Sequence, residues 1–266
     1  MKQRVISIIF MSIIVIPLFV IGGMPYNIGI AILSLLGLKE FLDIKESKKK
    51  LPLFVKVISY VFLLLVLFTN KGNSIRSFAI DFRIISGLFF TFLIPTVLYH
   101  DREKYSVNDA MFMLGGIFFL SMSMALFMRM RTYDYKTMIY LILIAIITDT
   151  FAYITGKLIG KHKLLENISP NKTVEGTIGG SIFGVFVPCM YYITVIHPEV
   201  SIIKLILMTG FLSILGQFGD LFFSAIKRYY GKKDFSNLIP GHGGVLDRVD
   251  SLIFILLGFM FLISVI

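Results

Sequence analysis

Apolar runs of about 17–23 residues, broken by short charged patches, recur along the whole chain. About 20 such residues cross a bilayer as a helix, and lipid offers their backbone groups no partner outside that helix. This patterning rules out an ordinary soluble fold. Hydrophobic residues make up 56% of the 266, charged residues only 16%, and mean hydropathy is +0.85. A soluble domain is about 45–50% apolar and roughly a quarter charged. The expected fold class is all-α, a polytopic integral membrane protein.

Nine spans are expected, over about 5–23, 25–42, 53–70, 78–98, 109–128, 137–160, 177–196, 202–226 and 251–266. The start, MKQRVISIIFMSIIVIPLFVIGG, lacks an A-x-A cleavage site and is long for a signal-peptide core, so it reads as a retained first span. With the N-terminus cytoplasmic, 19 of the 26 Lys and Arg fall on the inner side, as the positive-inside rule asks. The stretch RMRTYDYK at 129–136 is the main exception. The net charge of +10 would suggest nucleic acid in a soluble protein. Here topology and attraction to anionic lipid absorb it, and no nucleic-acid partner is expected. Cys189 is the one cysteine, which excludes an intrachain disulfide and a Cys-based metal site. It reads as a small core residue.

The chain divides into N-terminal helices over 1–136 and a C-terminal region over 137–266. The second region carries two long cytoplasmic loops, 161–176 (KHKLLENISPNKTVEG) and 227–250 (KRYYGKKDFSNLIPGHGGVLDRVD). Loops longer than about 12–15 residues are usually functional or disordered. Their Gly, Pro and specific charges favour function. The run KESKKK at 45–50 reads as a solvated, lipid-facing patch.

Ahead of the second loop, Ser213, Gln217, Asp220, Ser224 and Lys227 recur at helical spacing, a polar stripe along an otherwise apolar span. Such a stripe is either a hydrogen-bonded seam between helices or the wall of a polar cavity. An Asp near the bilayer centre costs about 2.5–3.5 kcal/mol and usually faces the bundle interior. Asp149 is a second such residue, and a structural hydrogen bond and a place near the site stand equal for it. The G-x-x-x-G steps at Gly156/Gly160 and at Gly176/Gly180/Gly184 read as close helix packing.

In the second loop, Asp247 and Asp250 share a face if that segment is helical. With Asp220 they offer three carboxylates for a hard cation. Lys227, Arg228, Lys232, Lys233, His242 and Arg248 surround them in sequence. Gly243 and Gly244 bring bare backbone N–H groups that can approach a phosphate. Carboxylate-held metal, cations and glycine amides together describe phosphoryl or nucleotidyl transfer. At the cytoplasmic face, a soluble phosphate donor can meet a lipid headgroup. The chain has no P-loop, no H-E-x-x-H, no dinucleotide G-x-G-x-x-G and no Cys/His zinc spacing.

The stretch Ser224-Ala-Ile-Lys227-Arg228, then Lys233-Asp234, Ser236 and Ile239-Pro-Gly-His-Gly-Gly-Val-Leu-Asp-Arg-Val-Asp250 resembles the signature of the phosphatidate cytidylyltransferases, the CDP-diacylglycerol synthases. DTFAYITGKLIGKHKL and ISPNKTVEGTIGG look like the family's other two blocks. The latter commonly reads S-P-K-K-T-x-E-G with an aromatic at x. Asn171 and Val174 depart from it, so Asn171 receives no phosphate role. Residues 1–140 match only as hydrophobic spans.

The resemblance implies that CTP and phosphatidate (phosphatidic acid) give CDP-diacylglycerol and pyrophosphate, with Mg²⁺, in a number of ions the sequence leaves open. It also implies a homodimer among the lipids of the bacterial inner membrane. On that reading Asp220 and Asp247 hold the metal, with Asp250 a further candidate. Lys227, Arg228, Lys233 and Arg248 neutralise phosphates. Lys172, with Thr173 and Glu175 beside it, reaches in from the other loop, and Ser224 joins the substrate side. His242 and the Gly243 and Gly244 amides steady the leaving pyrophosphate. Three alternatives carry less of the sequence. A CTP-dependent lipid kinase would release CDP. A cation transporter would use Asp149 and Asp220 but leaves the glycine-rich loop unexplained. A lipid-binding scaffold leaves the carboxylates beside the basic cluster unexplained.

Overall fold

A computed structural model describes residues 2–69, 78, 80–99, 101, 103–196, 200–241 and 243–265, with side chains from Met11 to Ile263. Arg76 and Arg102, which entered the charge asymmetry, and His242 lie outside the described residues. The protein is an all-α membrane protein, with one short hairpin. Its chain forms two compact units, Met1–Tyr133 with Asp234–Leu246, and Asp134–Lys233 with Asp247–Ile266. Residues 234–246, read from the sequence as the middle of one loop, thus group with the first unit.

The first unit holds α1 (Lys2–Ile21), α2 (Gly23–Glu46), α3 (Leu53–Thr69), α4 (Phe82–Leu98) and α5 (Val107–Tyr133). Helices α2, α3 and α4 gather around α5, whose inward residues are Ala, Met, Ile, Leu and Ser. The Phe41 ring stacks on Phe112 at 4.8 Å and fills the space a side chain at Gly116 would take. Gly22 and Gly23 take positive φ, which lets α1 turn directly into α2. Arg131 Nε donates to the Phe19 carbonyl at 2.8 Å, satisfying an end of α1 that has no partner of its own. Asp109, at the start of α5, is buried and accepts from Lys45 at 2.6 Å and Lys49 at 2.5 Å.

The second unit holds α6 (Tyr135–Ile159), the antiparallel strands β1 (Lys163–Leu165) and β2 (Ser169–Thr173), α7 (Val174–Tyr191) with a π-turn over Tyr192–Ile196, α8 (Ile202–Tyr229), and α9 (Leu246–Val265) beyond its first residue. Side chains start three of its helices. Asp134 accepts from Lys136 N, Thr173 from Gly176 N and Ser201 from Lys204 N. Helices α6 and α7 touch at the level of their backbones. A Cβ at Gly176 would stand 2.6 Å from the Ala152 carbonyl, and one at Gly180 2.7 Å from that of Thr148. The packing reading of these glycines holds. Cys189 is a buried free thiol that donates to Thr209 Oγ1 at 3.3 Å.

Among the described residues nine α-helices are present. Among the described residues four segments are long and apolar enough to cross a membrane: Val107–Tyr133, Tyr135–Ile159, Val174–Ile196 and Ile202–Tyr229. Helices α3 and α4 have 17 residues each, or about 26 Å against a hydrocarbon core of about 30 Å. Ile178, Ile182, Phe186 and Met190, four residues apart on α7, are all exposed. A lipid-facing stripe has this form.

Candidate active site

The polar stripe on α8 changes role partway along the helix. Its first half is a seam. Thr209 hydrogen-bonds the Tyr140 hydroxyl at 2.7 Å, Ser213 the Thr148 hydroxyl at 2.9 Å, and Gln217 donates to Ser181 Oγ at 2.9 Å. Its second half carries the charges. Asp220 pairs with Lys172 at 2.6 Å, and Lys227 pairs with Asp247 at 2.6 Å. Ser224 is buried, with its hydroxyl 3.4 Å from Asp220 Oδ1. The first half thus forms the seam, while of the stripe Gln217 and Asp220 line a cavity and Ser224 and Lys227 do not.

Lys172 reaches Asp220 because residues 161–176 are not an irregular loop. They fold as the β1–β2 hairpin, with Lys163 opposite Thr173 and Leu165 opposite Ser169. Arg228 Nε donates to the Ile168 carbonyl at 3.2 Å and its Nη1 to the Lys232 carbonyl at 2.9 Å. Both contacts brace the hairpin and the end of α8. Helix α9 begins at Leu246, so Asp247 and Asp250 do lie on one helical face. Gly216 and Gly219 let α9 come close. A Cβ at Gly219 would meet the Asp250 carbonyl at 2.7 Å.

These elements enclose a cavity of about 660 Å³ within the second unit, inside the usual range of about 300–1,000 Å³ for small-molecule sites. Four carboxylates line it: Asp149, Asp220, Asp247 and Asp250. Lys157, Lys172 and Arg248 line it with the opposite charge. Among the described residues no three His, Cys, Asp or Glu side chains converge as a ready-made metal cage. The donor chemistry nevertheless fits a hard cation, because Mg²⁺ takes one or two protein carboxylates and completes its shell with phosphate and water.

Of the residues singled out from the sequence, Lys172, Thr173, Asp220, Asp247, Arg248 and Asp250 line this cavity. Lys227 acts from behind, through Asp247. Thr173 also caps α7, accepting from Gly176 N at 3.1 Å. Glu175 is turned to its own chain. It accepts from the Lys161 and His162 amides and from the His162 ring at 2.6 Å, holding the turn before β1. Arg228 and Lys233 are exposed and are not among the lining residues. His242 is outside the described residues.

Gly243 and Gly244 belong to the first unit. There the Ile239 amide donates to the Gly243 carbonyl at 2.9 Å, and Gly241 and Gly243 take φ of 78° and 82°. Gly244 packs against Glu40, whose carboxylate would stand 2.5 Å from any Cβ at that position. Sequence reasoning passed over Glu40 and gave Lys157 no place at the site. Asn171 lines the cavity although the sequence comparison withheld a role from it. Asp149, left open, also lines it and accepts from Ser251 Oγ at 3.2 Å.

A profile described as "Cytidylyltransferase family" matches residues 2–266. A phosphatidate cytidylyltransferase of Staphylococcus haemolyticus (strain JCSC1435) is 36% identical over 257 residues, covering 96% of each chain. One from Staphylococcus aureus (strain COL) is 37% identical over 260 residues with the same coverage. One from Staphylococcus epidermidis (strain RP62A) is 34% identical over 257 residues, again covering 96% of each.

Proposed function

This chain belongs to the cytidylyltransferase family, and from that premise we propose that it transfers the cytidylyl group of CTP to phosphatidate. The products are CDP-diacylglycerol and pyrophosphate, on the route to phospholipids. The observation that carries this reading to particular residues is the cavity, where four carboxylates and three cations face one space of nucleotide size.

A phosphatidate phosphate oxygen attacks the α-phosphorus of CTP, and the bond from that phosphorus to the bridging oxygen of the β-phosphate breaks. The nucleophile is already anionic at neutral pH, so alignment and charge neutralisation supply the catalysis, with no protein base. Asp220 and Asp247 would hold Mg²⁺, with Asp250 beside them. The ion, when bound, neutralises phosphate charge and polarises the α-phosphate. Lys172 and Arg248 face the same space and bind phosphate oxygens. Lys227 keeps Asp247 in place. The enzyme works in the bacterial cell membrane, the inner one where there are two, with its cavity toward the cytoplasm. The charge asymmetry of the sequence supports that orientation. The homodimer rests on the family resemblance alone.

The deciding experiment supplies purified enzyme with Mg²⁺, phosphatidate and CTP labelled in the base. Label should pass into the organic phase only when phosphatidate is present. CDP released on addition of a lipid alcohol, with no label in lipid, would replace this reading with a kinase.

A further inference from the structure

The first unit contains a carboxylate for which the reaction as derived has no use. Glu40, on α2, is only 3% exposed. Its Oε1 accepts from Ser236 Oγ at 2.6 Å and from the Val245 amide at 2.8 Å, and its Oε2 accepts from the Leu246 amide at 2.9 Å. All three donors are neutral, and all belong to the glycine-rich segment 234–246. The Val245 and Leu246 amides stand at the start of α9, where a helix cannot satisfy its own N–H groups and where its dipole favours an anion. Within the segment, Ile239 and Gly243 form an isolated antiparallel bridge.

Gly244 completes the arrangement. The atoms that a Cβ there would meet are the Glu40 carboxylate carbon and both oxygens, at 2.5–2.6 Å. The tip of a glutamate can usually swing away from such a contact. This one is pinned by three hydrogen bonds, so a side chain at 244 would break them. The three glycines of the segment thus have two different causes. Gly241 and Gly243 serve the backbone angle, and Gly244 serves Glu40.

We propose that Glu40 is a positioning residue for cytidylyl transfer. It fixes the turn 239–246 and, through Leu246, the start of the helix whose next residues in the chain are Asp247 and Arg248. The proposal rests on the function argued above. It requires a carboxylate specifically. A glutamine has one acceptor oxygen and would set an –NH₂ group against an N–H or O–H donor.

The test uses the full-length protein in detergent, with amide hydrogen exchange, steady-state kinetics and thermal unfolding measured on the same preparations. Glu40→Gln should speed exchange at Val245 and Leu246. It should also lower kcat by about 100-fold, the order expected when reacting groups are displaced by about 1 Å. KM for phosphatidate should hold, because the lipid is not bound through this turn. Glu40→Asp, which keeps the charge, should recover part of kcat. Gly244→Ala should reproduce the glutamine variant, and the double variant should fall no further than the worse single one, because both act through the same backbone.

Unchanged exchange in Glu40→Gln would overturn the anchor. Faster exchange with full kcat would overturn the catalytic role, as would a loss of kcat that only follows the loss of folded protein. If wild-type protein forms no CDP-diacylglycerol while Glu40→Gln still speeds exchange at 245–246, the function reading falls and the role with it. The anchor would then stand alone.

Discussion

Two aspartates, one in each unit, are held in opposite ways. Asp109, in the first unit, takes four donors: Lys45, Lys49, and the amide and hydroxyl of Ser106. That matches the roughly four lone-pair positions a carboxylate offers. Asp220, in the second unit, has Lys172 at 2.6 Å and a Ser224 hydroxyl at the long distance of 3.4 Å. It keeps acceptor capacity and faces a cavity. A saturated carboxylate holds the chain to itself, whereas an unsaturated one is available to something that arrives. Burial separates the two as well, with side chains 3% and 29% exposed, but the count of donors says what each is free to do.

The largest effect should come from removing the available group. Asp220→Asn should cost about 10³-fold in cytidylyl transfer, near the upper end for losing one group that stabilises transition-state charge. Its unfolding midpoint in detergent should hardly move. A variant with normal turnover would break the comparison. Next is Lys227→Met. It removes the 2.6 Å cationic partner of Asp247, whose side chain is 3% exposed, and stripping a buried pair of one partner costs about 3–5 kcal/mol. Denaturant unfolding should register that loss. Lys172→Met, whose pair with Asp220 is 23% and 29% exposed, should cost about 1 kcal/mol or less in the same assay.

Asp109→Asn should show the converse of Asp220→Asn. It should lose about 1–3 kcal/mol, the cost of under-satisfied buried donors, while activity per folded molecule stays near wild type. A catalytic defect there would erase the distinction between the two aspartates. The smallest effect belongs to the seam. Ser213→Ala removes one neutral hydrogen bond and should cost about 1 kcal/mol, with kcat unchanged.

Periodic features were legible in the sequence. The spacing of Ser213, Gln217, Asp220, Ser224 and Lys227 placed them on one helix face, and the three-residue step placed Asp247 with Asp250. Such spacing reports which residues share a face, but not what that face meets. It therefore could not show that Gln217 and Asp220 would line the cavity while Ser213, Ser224 and Lys227 would not. The β1–β2 hairpin was hidden because SPNKT and KLL carry no strand-like alternation, and their pairing is secured by neighbours such as Arg228. Glu40 was hidden for another reason. It sits among Lys39, Asp43, Lys45 and Glu46, where it reads as one more interfacial charge. Its donors lie 196 to 206 residues further along the chain. Glu175 stands within a family block, and the sequence did not show that its hydrogen bonds go to the Lys161 and His162 turn.

The backbone contact between α6 and α7 bears on how such an enzyme can change. Gly176 and Gly180 leave no room for even a methyl group against the carbonyls of Ala152 and Thr148, so this wall of the cavity offers evolution almost no adjustable parts. An altered appetite for nucleotide or lipid has to be written elsewhere, in the hairpin tip, in the last turns of α8 or in the first turns of α9. Those segments answer to single side chains such as Lys172 and Arg248, which can be exchanged one at a time while the seam behind them stays as it is.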